Sequence, residues 1–128
     1  MKRQCAAVLV AVLLATLAVS VAGAAADPFL GVWVGIDPDG SNVRLVIRPA
    51  PAGYGLHYAD DMASACFGDR ATALGAGALD NGVLKASLDV WCLSPHRWLA
   101  AVDEWLTYDP VNDTLIDPWV TWSRVSGG

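Results

Sequence analysis

The sequence predicts an all-β protein: an antiparallel up-and-down barrel of seven or eight short strands behind an apolar N-terminal leader. Three observations point there. After the leader, apolar and polar residues alternate with a period of two, and no segment sustains a helical period. Clusters of Gly, Pro, Asn and Asp interrupt the runs roughly every 10–13 residues, the spacing of successive hairpins. A chain so rich in apolar strands would also present two adhesive edges unless its sheet closed on itself.

The leader comes first. Lys2 and Arg3 precede a nearly unbroken apolar run from Cys5 to Ala26, relieved by Thr16 and Ser20. Small residues gather at Ala22-Gly23-Ala24 and Ala24-Ala25-Ala26, the pattern of a signal-peptidase site. At roughly 20 residues the run could also remain as an anchor. Either way the rest of the chain lies outside the cytoplasm. Residues 1–26 are therefore read as a secretory signal peptide and residues 27–128 as a single domain, secreted or periplasmic and free of membrane after cleavage.

Cleavage removes Cys5 and leaves Cys66 and Cys92. An even pair in an exported small domain reads as one disulfide, with two free buried thiols as the alternative. There is no Cys-x-x-Cys spacing, and no metal or cofactor is expected. Charge excludes another class of partner. Arg44, Arg48, Arg70, Lys85, Arg97 and Arg124 stand against 13 carboxylates, without any basic cluster. A nucleic-acid role is ruled out.

The first strand covers residues 32–36 and ends at Asp37-Pro38-Asp39-Gly40, a strong turn. The second, residues 42–48, sets Val43, Leu45 and Ile47 on one face. Pro49-Ala50-Pro51-Ala52-Gly53 ends it. The third, residues 54–59, sets Tyr54, Leu56 and Tyr58 on one face and His57 on the other, followed by a loop over residues 60–69 that carries Cys66. The fourth, residues 70–76, is poor in large side chains, and Gly75 and Gly77 suggest close packing or a bend. Asp80-Asn81-Gly82 is a hairpin turn, because Asn-Gly tolerates positive φ at both central positions.

The fifth strand, residues 83–91, buries Leu84, Ala86, Leu88 and Val90 and ends at Cys92. The sixth runs over residues 97–108. A hairpin leads into a short seventh strand around Leu115 and Ile116, which Pro118 breaks, and the eighth finishes over residues 119–125.

Two end signatures bear on closure: Gly31-Val32-Trp33 at the first strand and Trp122-Ser123-Arg124 at the last. This pairing resembles that of lipocalins, fatty-acid-binding proteins and their calycin relatives. The resemblance implies that Gly31, Trp33 and Arg124 close the barrel, with the guanidinium across the indole ring in a cation–π contact worth roughly 0.5–2 kcal/mol. The chain length is nearer to avidin-like barrels and to small periplasmic metalloprotease inhibitors. The latter share a leader, a Gly-x-Trp start and a single disulfide, and act through an extended N-terminal segment. Here only Asp27-Pro28-Phe29-Leu30 precedes Gly31.

Six tryptophans are many for this size. They either fill the barrel and pair across strands or form a stacking surface for a flat ligand. If the last strand is regular, Trp119 and Trp122 face opposite ways and cannot share a pocket.

The sixth strand holds one conflict. Parity puts Trp98, Ala100, Val102, Glu104, Leu106 and Tyr108 on one face, and Arg97, Leu99, Ala101, Asp103, Trp105 and Thr107 on the other. Either face carries a carboxylate inward unless a bulge switches register after Val102. The favoured face makes Glu104 the polar anchor of an interior site, with Trp98 and Tyr58 as its neighbours. A bulge or a solvated rim is the competing explanation.

Other chemical candidates are weak. His57 and His96 are expected in solvent, and Asp37-x-Asp39-Gly40 lacks the distal bidentate Glu of a calcium loop. Ser64 and Ser94 have no nucleophile motif around them. No enzyme is expected. The functional reading is a secreted binding module that holds a small apolar or flat ligand in the barrel. The alternative is a protein-binding or protease-inhibitor-type module acting through the N-terminal segment or loops. A hollow interior favours the first; an interior filled by Leu45, Ile47, Leu56, Leu84, Leu88, Trp98 and Leu106 favours the second.

Overall fold

The computed structural model describes residues 25–125; the expected leader, apart from Ala25 and Ala26, lies outside them. The described chain forms β1 (Gly31–Ile36), β2 (Asn42–Ala50), β3 (Gly53–Ala63), β4 (Asp69–Asp80), β5 (Val83–Leu93), β6 (His96–Asp109), β7 (Thr114–Ile116) and β8 (Thr121–Arg124). They close into an antiparallel barrel in sequence order, with β1 beside β8 through Trp33–Arg124 and Val34–Ser123. The central strands outrun their predicted bounds, because ladder hydrogen bonding continues past the last alternating apolar residue. A short 3₁₀ turn, Ser64–Cys66, lies inside the expected loop.

The period-two pattern does what it predicts. Val43, Leu45 and Ile47 on β2, Tyr54 and Leu56 on β3, and Leu84, Ala86 and Leu88 on β5 all turn inward and are buried. The β4–β5 hairpin turns at Asn81 and Gly82, with φ of 50° and 80°, as a type I′ turn requires.

The two ends of the barrel differ. The base is closed and densely packed. Trp33 is fully buried and lies under Arg124, whose Cζ is 4.1 Å from the ring centroid. Arg124 donates from Nη1 to the Leu30 carbonyl and from Nη2 to the Pro28 carbonyl, both at 2.7 Å. Its Nε donates to Asp113 Oδ2 at 2.8 Å, so one side chain ties the N-terminal segment to the β6–β7 turn. Gly31 has φ 137°, and a Cβ there would lie 2.9 Å from Arg124 Nη1. The glycine of the Gly-x-Trp element thus admits the guanidinium.

Residues 27–30 fold over this end as a plug. Trp33 Nε1 donates to the Phe29 carbonyl at 3.0 Å, the Tyr54 hydroxyl donates to Asp27 Oδ2, and Phe29 is 4% exposed. Burying that ring contributes about 2–3 kcal/mol. A segment seated this way is not the free extended arm that the inhibitor resemblance implies.

The opposite end is the mouth. It carries the β1–β2, β3–β4, β5–β6 and β7–β8 connections. Cys66 and Cys92 form a disulfide there, with Cα atoms 5.5 Å apart. It fastens the 3₁₀ turn to the end of β5 above a small cluster of Ala63, Ala71 and Leu99. Such a bond persists in an oxidising compartment.

Candidate functional site

The site arises from two irregularities in β6. The first is a bulge: Val90 pairs with Ala100 and Trp91 with Trp98, which leaves Leu99 as the extra residue. Parity holds from Tyr108 back to Ala100, so Glu104 and Val102 stay on the inner face. Beyond the bulge it inverts. Trp98, expected inside, turns outward and is 53% exposed, with its Nε1 donating to Asp89 Oδ1 at 3.4 Å. No bulge follows Val102; the one that β6 has lies at Leu99, three residues before it, and it turns the tryptophan outward while leaving the carboxylate on the inner face.

The second irregularity is a mismatch of length. β6 has 14 residues, yet it pairs with β7 only from Thr107 to Asp109. Towards the mouth, its inner face therefore meets no β7 partner. Val102, inward by parity, is 40% exposed for this reason. The space is bridged by the turn between β7 and β8 and not by a strand.

Asp117 builds that turn. Its Oδ1 accepts from the Trp119 and Val120 N–H groups and its Oδ2 from Trp122 Nε1, all at 2.6 Å. Its own N–H donates to the Val120 carbonyl at 3.1 Å. This Asx turn delays β8 until Thr121. Trp119 consequently belongs to a turn and not to a strand, and the parity argument that separated it from Trp122 fails. Both tryptophans border the same cavity.

That cavity has a volume of about 410 Å³ and fills the mouth half of the barrel. Its apolar wall includes Ala73, Leu88, Val90, Val102 and Trp122. The interior is thus split: packed at the base by Leu45, Ile47, Leu56, Leu84 and Leu106, hollow above. Leu88 sits at the boundary, at once buried in the core cluster and lining the cavity.

Polar groups converge on the hollow half. Tyr58 borders it and packs edge-on against Trp122, ring centroids 6.0 Å apart. Its hydroxyl donates to Asp60 Oδ2 at 3.5 Å, and burial followed by the Asp60 and Asp37 charges raises its pKa. Asp60 is itself buried, accepting from Ser41 Oγ at 2.7 Å and the Met62 N–H at 2.9 Å. Glu104 also borders the cavity. Its Oε1 is buried without a hydrogen-bond partner. Burial first, then the Asp117 charge and the hydrogen bond shared with Asp117, push its pKa up to about 8. At neutral pH this side chain is largely a neutral acid.

The sequence reading therefore finds two of its three ligand candidates, Tyr58 and Glu104, at one cavity, and loses Trp98. It missed Asp117, Asp37 and Trp119. Asp117-Pro118 is a turn-initiating pair, and that signal could have found the Asx turn behind the apparent strand break. Neither histidine borders the cavity: His57 is exposed, 2.9 Å from Thr72 Oγ1, and His96 stacks on Trp91. Among the described residues, no group of three or more His, Cys, Asp or Glu side chains is arranged to hold a metal ion.

An eight-stranded up-and-down barrel, closed at one end and hollow at the other, defines the class, and it accords with a calycin-like fold. Compared with known proteins, the chain matches no family model, no curated protein and no solved structure at a significant level.

Proposed function

We propose that this protein is an extracytoplasmic, non-enzymatic binding module that holds one small, flat, largely apolar molecule in the mouth of its barrel. The observation that carries this is the cavity of about 410 Å³ above a packed base, within the size range of small-molecule sites. Its wall is mainly apolar, and its few polar side chains converge from β3, β6 and the β1–β2 and β7–β8 turns. Export rests on the leader pattern and on the disulfide.

The test is calorimetric titration with the neutral bicyclic 2-naphthylmethanol. The expected result is saturable one-to-one binding that disappears in Ala100→Trp, a cavity-wall substitution that fills the space with an indole. Absence of binding to the wild-type protein, or equal binding by Ala100→Trp, would overturn this reading.

A second reading has its own observation. Phe67, in the left-handed region at φ 60°, is 93% exposed in the β3–β4 connection of the mouth, and Met62 and Trp119, from the end of β3 and the β7–β8 turn, are exposed as well. This rim suits a protein partner held by the mouth loops. The N-terminal segment is already committed to the base.

A further inference from the structure

The charges around the cavity are all of one sign. The ionisable residues that border it are Asp37 from the β1–β2 turn, Tyr58 and Asp60 from β3, Glu104 from β6 with the exposed, outward-facing Asp103 beside it, and Asp117 from the β7–β8 turn. β4, β5 and β8 contribute only uncharged side chains, and among the described residues no Lys, Arg or His borders the space. Five of the six cations among the described residues are engaged elsewhere, and the sixth, Arg70, is exposed at the start of β4. Arg124 and Lys85 form ion pairs on the outside, Arg97 lies over the Phe67 ring, and Arg44 and Arg48 border an outer groove with His57.

Two features go beyond a cluster of acids on a surface. The carboxylates border a largely apolar cavity that opens at the barrel mouth, and one of them, Glu104, has a buried oxygen, Oε1, without a hydrogen-bond partner among the described residues. Burying a polar atom unpaired costs roughly 1–3 kcal/mol, a cost that a donor brought by a ligand would remove. The neighbouring Asp117 is already hydrogen-bonded by three N–H groups and supplies fixed negative charge beside it. The indoles of Trp119 and Trp122 border the same space, and aromatic faces attract cations.

We infer that the cavity selects a flat organic cation, an amine of one or two rings, whose ammonium sits at Glu104 and Asp117 and whose rings lie against Leu88, Val90 and the indoles. This rests on the interior-ligand reading above and names its ligand class. An ammonium has donors for the unpaired Glu104 oxygen and charge for Asp117, whereas a neutral molecule answers only the first need and an anion neither. Binding is proton-coupled. As the ammonium arrives, the proton on Glu104 leaves to solvent, so the site exchanges a proton for an organic cation and its net charge stays balanced. Affinity for the cation therefore rises with pH until Glu104 is ionised in the free protein.

The experiment titrates three compounds of one shape into the wild-type protein: 2-naphthylmethylamine, protonated at neutral pH, the neutral 2-naphthylmethanol, and anionic 2-naphthoate. Calorimetry at pH 7 in two buffers of different ionisation enthalpy counts the protons released. The expected result is at least roughly tenfold tighter binding of the amine than of the alcohol, no measurable naphthoate binding, and release of about one proton with the amine alone. In Glu104→Gln, proton release and the preference for the amine should vanish.

Equal affinities for amine and alcohol, or amine binding without proton release, overturn the cation inference and leave the interior-ligand reading standing. Tightest binding of naphthoate also overturns it. No binding of any compound overturns both. The wild-type charge series decides the matter even if Glu104→Gln fails to fold.

Discussion

Glu104 shows how one side chain carries both a structural cost and an opportunity. Its parity was readable, since it shares a face with Leu106 and Tyr108; its protonation state was not, because that depends first on burial inside the closed barrel and then on Asp117, thirteen residues further along the chain and brought alongside only by closure. Folding raises its pKa from 4.5 to about 8. The sign follows from linkage: a group with a raised folded-state value stabilises fully below about pH 4.5, and that contribution is lost as pH rises towards 8. The wild-type melting temperature should therefore fall relative to that of Glu104→Gln over this interval. Scanning calorimetry of both proteins at half-unit pH steps checks this; parallel curves would contradict the assignment. Trp98 teaches the opposite lesson. Its alternation was regular in sequence, and a single extra residue, Leu99, turned it out.

At the scale of the element, the short β7 and the Asx turn after it decide where the barrel is hollow. A three-residue β7 cannot line the mouth half of β6, so the turn centred on Asp117 closes the gap with side chains. Asp103 and Glu104 on that unpaired stretch also discourage another strand from adding to it. Asp117→Ala would strand two backbone N–H groups and the Trp122 indole, and should cost about 2–4 kcal/mol. Urea unfolding checks the magnitude. A loss below about 0.5 kcal/mol would mean that the turn holds without its aspartate. The hairpin at Asn81-Gly82 was legible because two adjacent residues specify its backbone. The Asx turn was harder to see because Val120 and Trp122 beside it imitate a strand.

For the whole molecule, two fastenings hold opposite ends. Arg124 locks the base by spanning residues 28–30, Trp33 and Asp113, and the disulfide ties the mouth across 26 positions of chain. Cross-linking a loop of that length stabilises by roughly 3–4 kcal/mol on the chain-entropy account. A Cys66→Ser/Cys92→Ser double variant should lose that amount in urea unfolding and keep a barrel-type far-ultraviolet spectrum. Loss of the spectrum itself would show that the base alone cannot hold the sheet closed.

Local signals along the chain were sufficient for the strands, their order, the inward faces of β2, β3 and β5, and the residues that meet at the base. Alternation and turn chemistry act between near neighbours, and sequential hairpins leave few other ways to arrange the sheet. Tertiary structure alone decided which half of the interior is full, where β6 slips by one residue, and which carboxylates face one another. Those outcomes depend on mismatched strand lengths around a closed ring and on charges far apart in sequence, and no local pattern records either.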